Sequence, residues 1–577
     1  MAAEFPDIPG RDFRTIRTRH TTRRDHGPEQ PEVLSVPPGF SYDLLLPVMK
    51  HRTGFLDRFD LYDFVLVAMV VLLIGHAGSS LLVGLNRPIL DFHGFRQTQT
   101  AIAALSISKG GPWFAYETPV FGEPWSAPFE LPIYQWCVAI LHSFGAPLIP
   151  AGRIVSFLFF IAILWPLAAL FKTFAFGRQA YLVASVLLLA SPQYIFWSRT
   201  VLIESCALFL GTMWLALLTR YLICPARGLL AAAVIVGVLA INAKSTTFAT
   251  FGLLGAAIVG WKALLCRRGA SKCPPGILAL ALFALVIPFC SGVAWVRFTD
   301  HIKAQNQVAV YFTSANLTTW NYGTLAQRVS GYLWQNLLFG HMISNVFGYT
   351  GPVALVALGA SSATKRLFWP AVVSACCFML PLLLFTNLHM KHPYYQYANA
   401  IFVLTAAAFG VSSLAESGRP YLAGLLLLVL AGGELAYYRR NFAPLVVGDQ
   451  SSRRAIQLAP LLKRATTPDE TLFIIGDSYS SEIPFYSDRR ALMLPDGLPD
   501  VVVKRVLSDP QAAIGARKLG AVVFCPEFIS RYGPSQEDQL RNFAAPLPEV
   551  GQAAGCSVLA PPPGVPAPSG TTGMPKL

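Results

Sequence analysis

The stretch Leu131-Pro132-Ile133-Tyr134-Gln135-Trp136-Cys137-Val138-Ala139-Ile140-Leu141-His142-Ser143-Phe144-Gly145 decides the fold. It is apolar, but at about fifteen residues it falls short of the roughly 20 that cross a bilayer. Pro128, Pro132, Pro147 and Pro150 bracket it and break helix continuity at both ends, and His142 interrupts its apolar character. Counted as a span, it reverses the membrane side of every later loop. Counted as a helix lying in the membrane interface, it leaves them in place.

Charge decides between the two, because cytoplasmic loops are enriched in Lys and Arg. Apart from this stretch, apolar segments near spanning length lie at about 62–85, 154–171, 180–197, 201–223, 228–247, 249–265, 275–296, 342–360, 367–387, 398–414 and 420–437. With the N-terminus inside and 131–145 excluded, the inner loops hold Lys172, Arg178, Arg220, Arg227, Lys262, Arg267, Arg268, Lys272, Lys365, Arg366 and Arg419. The short outward turns then hold Arg199, Lys244 and Lys391. The bias selects the interfacial reading. It predicts an α-helical polytopic membrane protein of about 11 transmembrane helices plus interfacial helices, with outward loops at 86–153 and 297–341.

Composition agrees. Of 577 residues only 13% are charged, and 54% are apolar; soluble globular proteins carry roughly 25% charged residues, so most soluble enzymes are excluded. The formal net charge of +14 is spread over short loops, which predicts no nucleic-acid partner. Ten cysteines without zinc spacing predict no structural zinc, and no metal or cofactor is expected.

Residues 1–60 are polar, with six arginines from Arg11 to Arg24, and read as a cytoplasmic, mostly disordered tail. The first apolar stretch begins near Tyr62, too late for a cleaved signal peptide. The membrane domain is read over 61–437. Beyond 438 charges return, and Thr471–Ile475 and Ala521–Phe524 read as buried strands. A small extracytoplasmic α/β domain is therefore expected over 438–560, followed by a disordered Pro/Gly-rich tail at 561–577. Cys525 and Cys556 would then face an oxidising compartment, where a disulfide and two free thiols are both open.

The same orientation gathers polar residues from distant stretches onto one face. Asp91, His93 and Arg96 follow the first span; Arg199 and Glu204 occupy a second outward turn; Lys244 ends another span; His389, Lys391, His392, Tyr394 and Tyr395 form a third turn. Each alone reads as a solvated boundary residue or a helix cap. Together, on the face that carries both large loops, they form a candidate site suited to sugar transfer from a lipid phosphate. Cations would stabilise the departing phosphate, a carboxylate would take the acceptor proton, and aromatic rings would stack on sugar. In this reading Asp91 is a general base or acceptor positioner and Glu204 a second polar anchor. Arg96, Lys244, Lys391 and His392 surround the donor phosphate. The span centres are nearly uncharged, which disfavours the alternative, a transporter or flippase of a lipid-linked substrate. A non-catalytic membrane scaffold leaves the outward polar set unexplained.

At these residues the sequence resembles the GT-C membrane glycosyltransferases, in particular bacterial family-39-like relatives of protein O-mannosyltransferase and of the lipid A aminoarabinose transferase. The likeness covers about 60–440 and rests on four features: the Asp after the first span, the run Phe95-Arg96-Gln97-Thr98-Gln99-Thr100-Ala101, the stretch from Tyr116-Glu117-Thr118-Pro119-Val120 through Pro124-Trp125-Ser126-Ala127-Pro128-Phe129-Glu130 to Trp136, and the Arg199 to Glu204 turn. It implies that Asp91 takes the place of the first-loop catalytic Asp and Glu204 that of the second outward acidic residue. By the same resemblance 131–145 matches a proline-led juxtamembrane helix. His392-Pro393-Tyr394-Tyr395 matches a His-x-Tyr-Tyr turn near the donor phosphate, with His93, Arg199 and His389 in the substrate-binding set. Implied partners are a polyprenyl-phosphate sugar donor, a glycan, lipid or protein acceptor of the envelope, and membrane lipid. Transfer would proceed with inversion, in the cytoplasmic (inner) membrane, at a site facing the periplasm or exterior. Asp91-x-His93 departs from the Asp-Glu pair of the eukaryotic mannosyltransferases, and many members act without bound metal.

Gly476-Asp477-Ser478, directly after a strand, looks like the nucleophile block of a GDSL-type hydrolase, whose Ser needs a downstream His. The last of the ten His is His392. The block is therefore read as a strand-to-helix turn capped by Asp477 or Ser478, with a role in acceptor binding or folding.

Overall fold

A computed structural model describes residues 60–271 and 274–562; the tail predicted before 60, Lys272 and the tail from 563 onward lie outside the described residues. The membrane part runs α1 (Leu61–Gly84), α2 (Gly94–Ser108), α3 (Ile133–Ser143), α4 (Leu148–Thr173), α5 (Arg178–Ala190), α6 (Glu204–Ile223), α7 (Arg227–Ala243), α8 (Ser245–Arg267), α9 (Ile277–Lys303), α10 (Tyr332–Ala363), α11 (Lys365–Leu384), α12 (Pro393–Glu416) and α13 (Pro420–Val447). Among the described residues nine of these are long and apolar enough to cross a membrane, and the shorter α5 and α7 occupy the other two predicted positions. The protein is a multi-pass membrane protein.

Local chemistry explains the departures. The segment predicted at 180–197 is broken: α5 stops at Ala190, Ser191 is extended (ψ 126°), and a short helix, Pro192–Trp197, restarts with proline at its first turn. The second span begins at Leu148 rather than 154, because Pro150 falls in its first turn, where no backbone donor is needed. α9 continues past 296 to Lys303, carrying Thr299, His301 and Lys303 with it, so both outward loops are shorter than predicted.

α3 has 11 residues, about 16 Å of helix against a hydrocarbon core of about 30 Å. Tyr134, Gln135, Val138 and Ala139 face inward, while Ile140, Leu141 and Phe144 are exposed. The stretch 131–145 thus holds one helix too short to span, as its length and prolines predict.

α6 and α12 are the most deeply buried spans. α12 is rich in small residues, Ala398, Ala400, Ala406, Ala407, Ala408 and Gly410 among them. At Gly410 a Cβ would lie 1.6 Å from the Ala357 carbonyl oxygen, so α10 and α12 touch backbone to backbone and only glycine fits.

α13 runs through Ala443–Val447, past the boundary read at 438, before the C-terminal part begins with α14 (Arg454–Ala465). There β1 (Thr471–Ile475), β2 (Arg490–Met493), β3 (Leu519–Phe524), β4 (Glu549–Ala553) and β5 (Cys556–Leu559) build a sheet of order β2-β1-β3-β5-β4, with α15 (Glu482–Ser487) between β1 and β2. β1 pairs in parallel with β2 and β3, and β5 returns antiparallel beside β3. A disulfide joins Cys525 to Cys556.

The first outward loop completes this sheet. Ala491 N donates to Pro119 O (2.9 Å), Met493 N donates to Val120 O (2.9 Å), and Phe121 bridges Leu492 antiparallel, so the loop covers the free edge of β2. Asn306 of the second loop rivets the same segment. Its Nδ2 donates to the carbonyls of Phe121 (3.2 Å), Gly122 (3.1 Å) and Pro124 (3.1 Å), and its Oδ1 accepts from Val308 N and Ala309 N (2.8 Å each).

Candidate active site

Three ion pairs stand at the end of the bundle from which both loops rise. Asp91 precedes α2. Its Oδ2 accepts from Arg199 Nη2 (2.6 Å), and its Oδ1 accepts from Gln97 Nε2 (2.8 Å) and Phe92 N (3.0 Å). Both side chains of the Asp91–Arg199 pair are 1% exposed. Burial works to raise the Asp91 pKa, but the Arg199 and Arg153 charges and the two side-chain hydrogen bonds outweigh it and hold the carboxyl below its usual range. Phe196 lies under the Arg199 guanidinium at 4.6 Å. Asp91 is thus ionised but enclosed.

Glu204 opens α6 and accepts both oxygens' worth of contact from Lys244 Nζ, at 2.5 and 2.6 Å, with side chains 2% and 3% exposed. Lys244 occupies the extended break between α7 and α8 (φ −167°, ψ 99°), which turns its ammonium over the rings of Tyr395 (3.9 Å) and Tyr394 (5.4 Å).

The third pair, Arg96 Nη2 to Glu130 Oε1 at 2.6 Å, is more open, at 17% and 21% exposure. Arg96 also donates to Gln99. Glu130 is fixed by its neighbours: Phe129 N donates to the Tyr116 hydroxyl oxygen (2.9 Å), Trp295 Nε1 donates to Phe129 O (3.0 Å), and Leu131 N donates to Asn242 O (2.8 Å). Sequence reasoning did not single out Glu130. The signal was present, since Glu130 closes the Trp-Ser-x-Pro-Phe-Glu stretch immediately before the interfacial helix.

Rings connect the pairs. His93, left-handed at φ 49°, accepts the first backbone donors of α2, from Arg96 N (3.0 Å) and Gln97 N (3.2 Å). Its imidazole lies 5.3 Å from the Tyr394 ring, 5.9 Å from His392 and 6.0 Å from Trp197. Trp320 of the second loop reaches His392 at 6.0 Å, and His389 reaches Tyr395 at 6.1 Å. Burial lowers His93 to about 4; burial and neighbouring cations lower His389 and His392 to about 3. All three imidazoles are neutral at pH 7. Lys391 is exposed at the rim.

The structure therefore brings His93, Arg96, Glu204, Lys244, His389, His392, Tyr394 and Tyr395 into one cluster. It sets Asp91 and Arg199 apart as an enclosed pair behind Phe92 and Trp197, whose rings are 5.5 Å apart. Of the cations expected around a donor phosphate, Arg96 pairs with Glu130 and Lys244 pairs with Glu204. Among the described residues no group of His, Cys, Asp or Glu is arranged to hold a metal ion.

The turn after β1 leans on the same cluster. The Tyr479 ring packs 5.0 Å from Phe95 and 4.7 Å from Phe312. Ser478, also left-handed (φ 49°), donates from Oγ to Asp496 Oδ1 at 2.5 Å. Burial and the nearby Glu482 push Asp477 up to about 7, against the pull of Arg454 and Arg531.

No family model and no curated protein matches the sequence. Solved structures do. The crystal structure of ArnT from Cupriavidus metallidurans bound to undecaprenyl phosphate superposes with TM-score 0.57 at 15% identity, covering 86% of this chain and 98% of that one. The apo form of the same protein gives 0.55 at 17% identity with the same coverage. The arabinofuranosyltransferase AftD from Mycobacteria gives 0.50 at 13% identity, covering 85% of this chain and 40% of its own. The chain shares the fold of these structures, and the fold expected from the resemblance is the one found.

Proposed function

We propose that this chain is a glycosyltransferase that moves a sugar, with inversion, from a polyprenyl-phosphate donor to an envelope glycan, lipid or protein at the outer face of the cytoplasmic membrane. One observation carries the reading. Residues from five separate places in the chain, 93–96, 130, 204, 244 and 389–395, meet at the loop-bearing end of a fold shared with a protein whose structure holds undecaprenyl phosphate.

In this proposal the acceptor hydroxyl oxygen attacks the anomeric carbon from the face opposite the phosphate. The new glycosidic bond forms as the bond from anomeric carbon to phosphate oxygen breaks. The leaving polyprenyl phosphate takes the electron pair, and Glu130 takes the hydroxyl proton. Arg96 exchanges part of its contact with Glu130 for the phosphate as charge develops, and Lys244, held by Glu204 and the Tyr394 and Tyr395 rings, adds positive potential behind it. The neutral His93 and His392 supply hydrogen bonds without adding charge. Asp91 serves as a positioning residue: it holds Arg199, and with it the turn that leads into Glu204.

Incubating purified protein with labelled polyprenyl-phosphate sugars and envelope acceptors should release polyprenyl phosphate. Glu130→Gln should lower turnover about 10²- to 10⁴-fold while changing stability by no more than about 1 kcal/mol, because the pair is partly exposed. Full turnover in Glu130→Gln would remove the proposed base.

A further inference from the structure

A cavity lies away from the cluster, between α1, α10 and α13. It measures about 1080 Å³ and is lined by His76 of α1, Tyr349 of α10, and Gly432, Leu435, Arg439 and Arg440 of α13. None of these residues belongs to the three ion pairs.

Its chemistry is divided. Deep in the groove are the faces of membrane-spanning helices, with Leu435 and the open surface of Gly432, where a Cβ would meet nothing within 4 Å. At its mouth two consecutive arginines follow the last apolar turn of α13, in a segment wound as a π-helix (Tyr438–Phe442). Both are exposed, and among the described residues no carboxylate pairs with either. They stand at the end of α13 that carries the cluster, the end that charge bias leaves poor in Lys and Arg. Polar and aromatic groups converge beneath them. The His76 ring meets Tyr438 at 5.7 Å, with its Nε2 unpartnered; Tyr349 meets Tyr437 at 5.1 Å, and Asn441 Nδ2 donates to the Tyr349 hydroxyl oxygen (3.4 Å).

An apolar floor within the bilayer, a doubly cationic mouth at headgroup depth and hydrogen-bonding groups between them match a lipid with an anionic phosphate headgroup. From this placement we infer that the groove between α1 and α13 is a binding site for an anionic phospholipid, separate from the site of sugar transfer. The acyl chains lie along Leu435 and Gly432, and the headgroup phosphate is held by Arg439 and Arg440 with His76 and Tyr349.

The test uses the full-length protein. In detergent, phosphatidylglycerol should be retained in native mass spectra in preference to phosphatidylcholine, and phosphatidylglycerol should raise the melting temperature where phosphatidylcholine does not. The double variant R439Q/R440Q should bind phosphatidylglycerol about tenfold more weakly or worse. Gly432→Trp, which fills the floor and leaves both arginines in place, should lose the lipid-induced shift as well. Equal retention of the two lipids would overturn the inference, as would an unchanged phosphatidylglycerol shift in a folded variant. An equal shift from inorganic phosphate alone would also overturn it, by making the groove a free-anion site.

Discussion

Enclosing Asp91 and Arg199 commits each charge to the other. Two guanidiniums, Arg199 and Arg153, lie against the single carboxylate, and neither has a route to bulk water. Asp91→Asn therefore leaves buried positive charge uncompensated, and should cost about 3–5 kcal/mol of stability. The measurement is thermal or denaturant unfolding of the purified variant in detergent; an unaltered midpoint would show that the pair holds nothing together. The histidines give a different signature. In each the folded pKa, about 4 for His93 and about 3 for His392, lies below the unfolded value of about 6.5. Between those limits the unfolded chain binds more protons, so stability is complete above about pH 6.5 and falls as pH drops toward the folded values. Melting temperatures across pH 7.5 to 4 should show this decline in the parent protein and a shallower one in His392→Asn. Equal slopes would mean that the His392 imbalance does not contribute.

Among the elements, what the sequence discloses is uneven for physical reasons. Span positions were legible, because hydropathy is a property of contiguous residues. That Ile133–Ser143 forms only a short helix was legible too, because its length and flanking prolines are local. The pairing of charges was not. Which cation meets Glu204 depends on how α6 packs against the break between α7 and α8, and no spacing rule brings Lys244 rather than Arg199 to it. Glu130 was overlooked for the same reason: in sequence it is one charge beside an apolar run, and only the fold turns it toward Arg96. The break at Ser191-Pro192 was readable in principle, and hydropathy masked it. Asn306 is the clearest case of a residue whose role is wholly tertiary, since five backbone groups from two loops converge on one amide. Asn306→Ala orphans buried carbonyls and should cost about 2–4 kcal/mol. Hydrogen exchange should show faster opening of residues 119–124 in that variant, with the transmembrane helices unchanged.

At the scale of the whole molecule, the sheet-bearing part packs against the residues that flank the cluster. The turn that carries Ser478 and Tyr479 lies against Phe95, one residue from Arg96, and the first loop supplies the missing edge of the sheet. A further tie runs from Leu90 N to Gln450 Oε1 (3.0 Å), and another from Ile89 N to the Tyr486 hydroxyl oxygen (2.8 Å). The sheet edge also fixes an order of events. Ribosomes deliver the chain from its N-terminus, so Pro119 and Val120 reach the membrane surface long before β2 exists. They wait there while the helices from α3 to α13 are made. Only when translation has passed Met493 does the loop find its partner. A chain cut short within the sheet keeps this loop without its partner strand.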